Sequence, residues 1–548
     1  MNAPVTRAAR GSTGRFDLIL GAIGSVLVCL GSFGVGDPPR NSTVLSDLGL
    51  SWITYGHGKN VFGTLFWLGV FLMVFGWVRL GRRIFSGSAH TPSTRTLSRW
   101  VLVWAAPLLV AVPVYSRDVY AYLAQGAVFG AGFDPYADGP AHLPGPLVDS
   151  MAQVWATTTA PYGPFFMGML RVVTEITGDH AIIGVLAIRL VLLPGLFLAL
   201  WAIPRLAERF GASPQAGLWL ALFNPMVLIH LVAGPHVELL MMGVLVTGIV
   251  LVVDGRHVWG TSVLALAVSI KITAGIALPF VLWIWLSHIR SRRPVTSRDV
   301  VTVFASIVGI AVAVFGVWTL AIGLGLGWLT GLGWADVIIN WFTVPTLAAH
   351  LVTLIAAPFV ALNLQPVLEV TRAIGSVVLA VTLVAVWWRH RHDARDAVAG
   401  MAWAMLAVLL LEPSTLPWYY TWVLVIAVAF DLPMWVRATV VGASTFLLIV
   451  FQPDDAIVFY KPVEVALAAA LAGLAAWSLS HRDPLRLGRF GRWAWGATPA
   501  GESAPASDAI AESGVEKSAR ADAEPGEFGA GEFGAGAPVR KPGPAPGG

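Results

Sequence analysis

Residues 100–140 read WVLVWAAPLLVAVPVYSRDVYAYLAQGAVFGAGFDPYADGP. As far as Tyr115 the run is uncharged and suited to lipid; from Ser116 it turns polar at once. Arg117, Asp118, Tyr120, Tyr122 and Gln125 arrive within ten residues, followed by a Gly/Pro-rich loop carrying Asp134 and Asp138. A chain that leaves hydrocarbon and immediately sets out acids, a guanidinium and phenols is placing chemistry at a membrane exit, where a polar substrate meets a lipid-embedded protein.

The remainder of the sequence fits that setting. Of 548 residues, 56% are hydrophobic and 12% are charged, against about 25% charged in soluble domains. The mean hydropathy is +0.73. Apolar runs recur along the chain and predict an all-α polytopic membrane protein with about 14 transmembrane segments. The first run follows a short basic N-terminus, lacks a small-residue cleavage site, and reads as a span rather than a removed signal peptide. Cys29 is the only cysteine, which excludes an intramolecular disulfide and a cysteine-based metal site. The basic pI of about 9.3 comes from arginines in short loops, so it reflects membrane orientation and not nucleic-acid binding.

Four loops hold those arginines: Arg82, Arg83, Arg95 and Arg99; Arg290, Arg292, Arg293 and Arg298; Arg389, Arg391 and Arg395; Arg482, Arg486, Arg489 and Arg492. All fall on the side of the N-terminus, which the positive-inside rule makes cytoplasmic. The opposite loops are acidic. The long ones, 116–179 and 324–369, are expected to carry amphipathic or re-entrant segments lining an external cavity. This gives a cytoplasmic tail at 1–15, a membrane domain at 16–482 and a cytoplasmic tail at 483–548 in a multi-pass plasma-membrane protein. The tail is rich in Ala, Gly, Glu and Pro, repeats GEFGAGEFGAG, and cannot bury a core.

Several side chains stand out. Ser116 can cap a helix beginning at Arg117-Asp118, with Asp118, Tyr122, Gln125 and Phe129 on one face. The helix dipole favours a carboxylate there; a helix-start role and a catalytic role both answer to that position. Asp134 and Asp138 suit turn geometry. Tyr162, in APYGP, offers a wall for a ring-shaped substrate. Lys271 interrupts ALAVSIKITAGIALP, where an unpaired ammonium costs roughly 2.5–3.5 kcal/mol. It either snorkels to the interface or holds a lipid-linked phosphate. Arg189 and Arg372 pose the same question and suit structural pairs. His236 and Glu238, in AGPHVELLMMG, sit at the outer end of a span and suit pocket walls. Glu412 precedes a Trp/Tyr cluster, LPWYYTW, that reads as an interfacial belt or a sugar-stacking platform. Walker A, dinucleotide-binding and HExxH patterns are absent from the sequence.

Taken in order, SWITYGHG, LGRRI, VPVYSRDVYAYLAQG, FDPYADGP, TTAPYGP, NPMVLIHL with GPHVELLMMG, IKITAGIALPF, INWFTVPT and LPWYYTW resemble the polyprenol-phosphomannose-dependent α-1,6-mannosyltransferases of mycobacteria and corynebacteria, which are membrane glycosyltransferases of the GT-C fold. The match is closer to the member that elongates the distal mannan than to the one that starts it. The resemblance implies transfer of mannose, with inversion, from polyprenyl phosphomannose to the 6-hydroxyl of an α-1,6-mannan glycolipid in the lipomannan and lipoarabinomannan pathway. It also implies that the key acid of the first large external loop is Asp118. Arg117-Asp118 departs from the double acid of some relatives, and a lipid monophosphate donor gives less need for a divalent metal, so no cofactor is expected. Arg117 and Lys271 are then candidates to neutralise the leaving phosphate, and Tyr122, Gln125, Tyr162, His236, Glu238, Trp341, Trp418 and Tyr419 to meet the sugars. A transporter or flippase is the competing class; it would call for repeats at matched positions in two halves. A non-catalytic scaffold is the third.

Overall fold

In the computed structural model, residues 6–87, 91–331, 339, 342–451, 461–482 and 485 are described; the tail expected from 483 onward lies almost wholly outside them, as do Asp336, Trp341, Asp454 and Asp455. Among the described residues every regular element is a helix. The principal ones are α1 (Thr6–Val35), α2 (Gly56–Phe85), α3 (Thr94–Leu108), α4 (Asp118–Gly130), α5 (Pro164–Thr177), α6 (Ala181–Arg209), α7 (Pro214–Ala221), α8 (Glu238–Val253), α9 (His257–Ile270), α10 (Leu278–Arg290), α11 (Ser297–Ile322), α12 (Val344–Ala356), α13 (Leu364–Arg389), α14 (Ala394–Leu411), α15 (Met434–Val450) and α16 (Pro462–Ser478).

Local chemistry sets several boundaries. Ser93 caps α3 by accepting the Thr96 N–H, and Ser213 with Pro214 opens α7. Thr296 and Asp299 form a reciprocal capping box on α11, which ends at Gly323 in the left-handed region.

Among the described residues seven helices are long and apolar enough to cross a membrane; Pro214–Ala221 with Pro225–Ala233, bent by 53°, makes an eighth, and five more apolar helices have 10–17 residues. The protein is a polytopic membrane protein. The shorter helices need not show 20 apolar residues to lipid because neighbours cover them. α8 is the extreme case: every residue but Leu251 is buried, as expected of a helix apolar all round. Close approach through small residues replaces the hydrophobic drive that lipid does not supply. A Cβ on Gly195 would lie 2.1 Å from Leu239 O, and one on Gly243 equally close to Gly195 O, so α6 and α8 touch backbone to backbone.

The two ends of the bundle differ. α1 and α2 run antiparallel, with Asp17 paired to Arg79 and Arg83 at one end and Gly34 against Phe62 near the other. Asp17 to Val35 spans about 27 Å at 1.5 Å per residue, close to the ~30 Å of a hydrocarbon core. Arg79, Arg82 and Arg83 at the end of α2 and Arg482 beyond α16 gather at the Asp17 end, while the ends of α10 and α13 meet through the bond from Arg290 to His392 O. The segments holding Asp118, His236, Lys271 and Glu412 emerge at the other.

Candidate active site

At that other end a cavity of about 340 Å³ opens among residues from four distant stretches, including Asp118, Gln125, Tyr162, Lys271, Glu412 and Tyr419. Its architecture follows from how the chain stops and restarts there. α3 ends at Pro107-Leu108, and the following strand-like segment reaches Tyr115, which has φ +70°, a strained value for a bulky residue. The Tyr115 hydroxyl donates to Leu448 O at 2.8 Å, which holds that turn. Asp118 then begins α4. The capping position is taken by Arg117 and not Ser116, whose hydroxyl instead accepts the Asp118 N–H at 3.0 Å.

Asp118 is held through one oxygen and faces an imidazole with the other. Trp155 Nε1 donates to Oδ1 at 3.2 Å, and His236 Nε2 lies 3.7 Å from Oδ2. His236 arrives on a broken span. Asn224 caps a new helical start, the backbone passes through a π-helical turn at Ile229–Ala233, and Gly234 then packs so tightly that a Cβ there would meet Val114 O at 2.5 Å. Arg189 donates to Val232 O, Ala233 O and Leu109 O, satisfying carbonyls that the irregular turn leaves behind. Arg189 is thus a structural cation, as its surroundings in the sequence imply. His236 Nδ1 sits 2.6 Å from both His230 O and Gly234 O. Facing two acceptors, it carries the proton, so Nε2 is the atom turned to Asp118. Trp418 stacks on the imidazole at 3.8 Å.

The cation enters from the end of α9. Lys271 Nζ lies 2.5 Å from Glu238 Oε1 and 4.0 Å from the Tyr419 ring centroid, a cation–π contact. Glu238 is fully buried, while Lys271 faces the cavity, so the lysine has not snorkelled away. A clasp fixes its position: Gly163 N–H donates to Ile270 O at 3.1 Å, and a Cβ on Gly163 would lie 2.4 Å from Ser269 O. Only glycine lets the APYGP turn lie on the Lys271 segment, which sets Tyr162 beside the lysine. Burial raises the Tyr162 and Tyr419 phenols well above their ordinary value, with Asp118 adding to the first and Glu238 to the second. Both remain neutral hydroxyls.

The cavity wall carries polar atoms with no hydrogen-bond partner among the described residues: Gln125 Oε1, Thr159 Oγ1, Thr273 Oγ1 and Trp422 Nε1. Buried polar groups are nearly always satisfied, so four orphaned atoms on residues around one space are unusual. No group of three or more His, Cys, Asp or Glu side chains at metal-holding spacing occurs among the described residues.

Of the residues singled out in the sequence, Asp118, Gln125, Tyr162, Lys271 and Tyr419 line this cavity. Tyr122, His236, Glu238 and Trp418 pack directly behind it. Tyr122 meets Tyr162 and Phe166 edge-on, so it supports the wall instead of touching its contents. Arg117 departs from expectation. Its guanidinium pairs with Asp37 at 3.0 Å and donates to Ser150 O at 2.7 Å, tying the loop to the end of α1 and turning away from the cavity; the nearer acid and carbonyls win it. Trp341 lies outside the described residues. Trp155, Thr158, Thr159 and Thr273 line the cavity without having been singled out. Nothing in the sequence marks a lone loop tryptophan as the donor to an acid 37 residues earlier.

A multi-helical membrane protein with an acid and a lysine facing one cavity at a single end of its bundle has the form of a membrane-embedded transferase. Residues 18–287 match the family model described as alpha-(1->6)-mannopyranosyltransferase, N-terminal domain, and residues 345–481 match the one described as MptB C-terminal domain. The Mycobacterium tuberculosis protein named alpha-(1->6)-mannopyranosyltransferase A is 42% identical over 86% of this chain and 90% of its own length. Its Corynebacterium glutamicum namesake is 36% identical over 82% and 95%. The C. glutamicum protein named alpha-(1->6)-mannopyranosyltransferase B is 29% identical over 85% and 82%. The chain belongs to the α-(1→6)-mannopyranosyltransferase family and is a hexosyltransferase.

Proposed function

We propose that this enzyme moves mannose from polyprenyl phosphomannose to the 6-hydroxyl of a growing α-1,6-mannan of the lipomannan and lipoarabinomannan core, with inversion, at the outer face of the plasma membrane. The observation that carries this reading is that Asp118 and Lys271, from distant parts of the chain, line the same cavity. The acceptor O6 attacks the anomeric carbon opposite the phosphate; the C1–O(phosphate) bond breaks, and the phosphate leaves with the electron pair. Lys271 neutralises that phosphate. Asp118 takes the O6 proton as the new bond forms and, being anionic, steadies positive charge on the ring. Trp155 holds one carboxylate oxygen in place, and His236 stands beside the other. Gln125, Thr159, Thr273 and Trp422 line the space that takes the sugars.

The GT-C bundle assignment and the outward orientation belong to the same reading. Counting the bent pair as one crossing, adding α3 and the segment after Tyr420, and leaving α12 at the cavity end gives about 14 crossings. Both termini of the membrane domain then meet the arginine-rich, cytoplasmic side.

The test is transfer from labelled polyprenyl phosphomannose to a short α-1,6-mannan in membranes bearing the protein. Asp118→Asn is expected to lower turnover by at least about 10²-fold, the upper part of the range for a general base being 10⁴, with expression unchanged. Near-normal turnover refutes the assignment of the base; translocation without transfer supports a transporter instead.

A further inference from the structure

A second pocket, of about 650 Å³, lies at the opposite end of the bundle. Four guanidinium groups line it: Arg79, Arg82 and Arg83 from the last turns of α2, and Arg482 just past α16. Among the described residues the only acid on its wall is Asp17, buried to 1% exposure, and Asp17 is already taken. Arg79 Nε and Arg83 Nη2 hold its two oxygens at 2.7 and 2.8 Å. Arg82 Nη1 donates to the His481 carbonyl at 2.9 Å. Neither Arg82 nor Arg482 has a carboxylate partner among the described residues, so cations outnumber acids on the described part of this wall.

A concave surface with that surplus is costly at the edge of a low-dielectric slab unless an anion fills it. Guanidinium groups match phosphate oxygens in geometry as well as charge. The rest of the wall limits which phosphate. Phe85, Met434 and Leu479 line the same pocket, so the cations stand beside apolar side chains at the level where α1 and α2 leave the hydrocarbon. A soluble phosphate has no use for that apolar wall; a headgroup with acyl chains does. The site is separate from the transferase cavity, because the ~27 Å of α1 lies between their levels.

We propose that this pocket binds the phosphate headgroup of an anionic membrane lipid and that the bound lipid fastens the end of the last helix to the α1–α2 pair. Arg482 reaches the headgroup from one side and Arg82 from the other, so the headgroup bridges segments that are otherwise joined here through Arg82 and the His481 carbonyl.

The test uses the full chain purified in a neutral detergent, with intrinsic tryptophan fluorescence reporting unfolding on heating. Added phosphatidylglycerol is expected to raise the midpoint saturably, whereas phosphatidylcholine and glycerol 3-phosphate do not. Arg482→Gln, at an exposed position beyond the helix, is expected to weaken the apparent affinity about fivefold, and Arg82→Gln/Arg482→Gln roughly 25-fold. Arg95→Gln/Arg99→Gln, on the same side but outside the pocket, leaves it unchanged. The proposal is overturned if Arg482→Gln responds as the parent does, if Arg95→Gln/Arg99→Gln weakens the response as much, or if glycerol 3-phosphate alone gives the full shift. The first two outcomes leave only diffuse charge attraction, and the third makes the occupant a soluble anion.

Discussion

Lys271 and Glu238 form an ion pair whose two members have unequal exposure, 13% and 1% of their side chains, and that inequality fixes how the pair fails. Lys271→Met strands a carboxylate with no water and one unpartnered oxygen already; breaking a buried pair from this side costs about 3–5 kcal/mol. Glu238→Gln strands an ammonium that still faces the cavity and the Tyr419 ring, so the loss is nearer that of one charged hydrogen bond, roughly 1.5–3 kcal/mol. Combining the two changes removes both charges and leaves neutral groups of similar size, which brings stability back to within about 1 kcal/mol of the parent. Transfer does not return with it. Losing the cation beside the leaving phosphate lowers turnover by about 10²-fold or more in both Lys271→Met and the double variant. The measurements are the fraction of protein remaining monodisperse after heating in detergent and turnover with polyprenyl phosphomannose, on all four proteins. A double variant as fragile as Lys271→Met, or one with near-parental turnover, refutes the reasoning.

Trp155→Phe keeps the ring and deletes the donor to Asp118 Oδ1; turnover is expected to fall about tenfold with little change in thermal stability, and a loss confined to KM contradicts a positioning role. Gly163→Ala drives a methyl group against Ser269 O and should displace the clasp beside Lys271, reducing both heat resistance and transfer; parental values for both contradict the close approach. Tyr115→Phe removes the hydroxyl bonded to Leu448 O and should cost about 1 kcal/mol, read as a lowered unfolding midpoint. The raised Tyr162 and Tyr419 phenols keep their protons in the folded state, so their contribution to stability is fully present below pH 10, the ordinary value, and is lost only as pH rises beyond it. A stability decline between pH 7 and 9 that disappears in Tyr162→Phe contradicts that sign.

Composition and the arginine loops made the bundle legible, because lipid imposes helices and the charge of loops sorts their ends. Asp118 and Lys271 were legible for a related reason: a charge at a membrane exit or inside an apolar run is too expensive to be incidental. Which groups surround them was not. Arg117 sits next to Asp118 in sequence, yet Asp37 and Ser150 claim it, and no local pattern encodes a partner from the end of α1. Trp155 and the orphaned hydroxyls of Thr159 and Thr273 have ordinary sequence surroundings; their role arises only when loops from separate parts of the chain close over the start of α4. His236 was visible as a polar residue near a span end, but the π-turn that aims Nε2 at Asp118 has no signature shorter than the fold.

The bond from the Gly163 amide to Ile270 O has a mechanical corollary. A loop stapled to the stem of the lysine is not a lid that swings while the site stays armed. Lifting the 131–163 segment tugs at the residue just before Lys271, so exposure to water and loss of the cation's alignment come together. Such coupling makes opening of the cavity and displacement of the lysine one event instead of two.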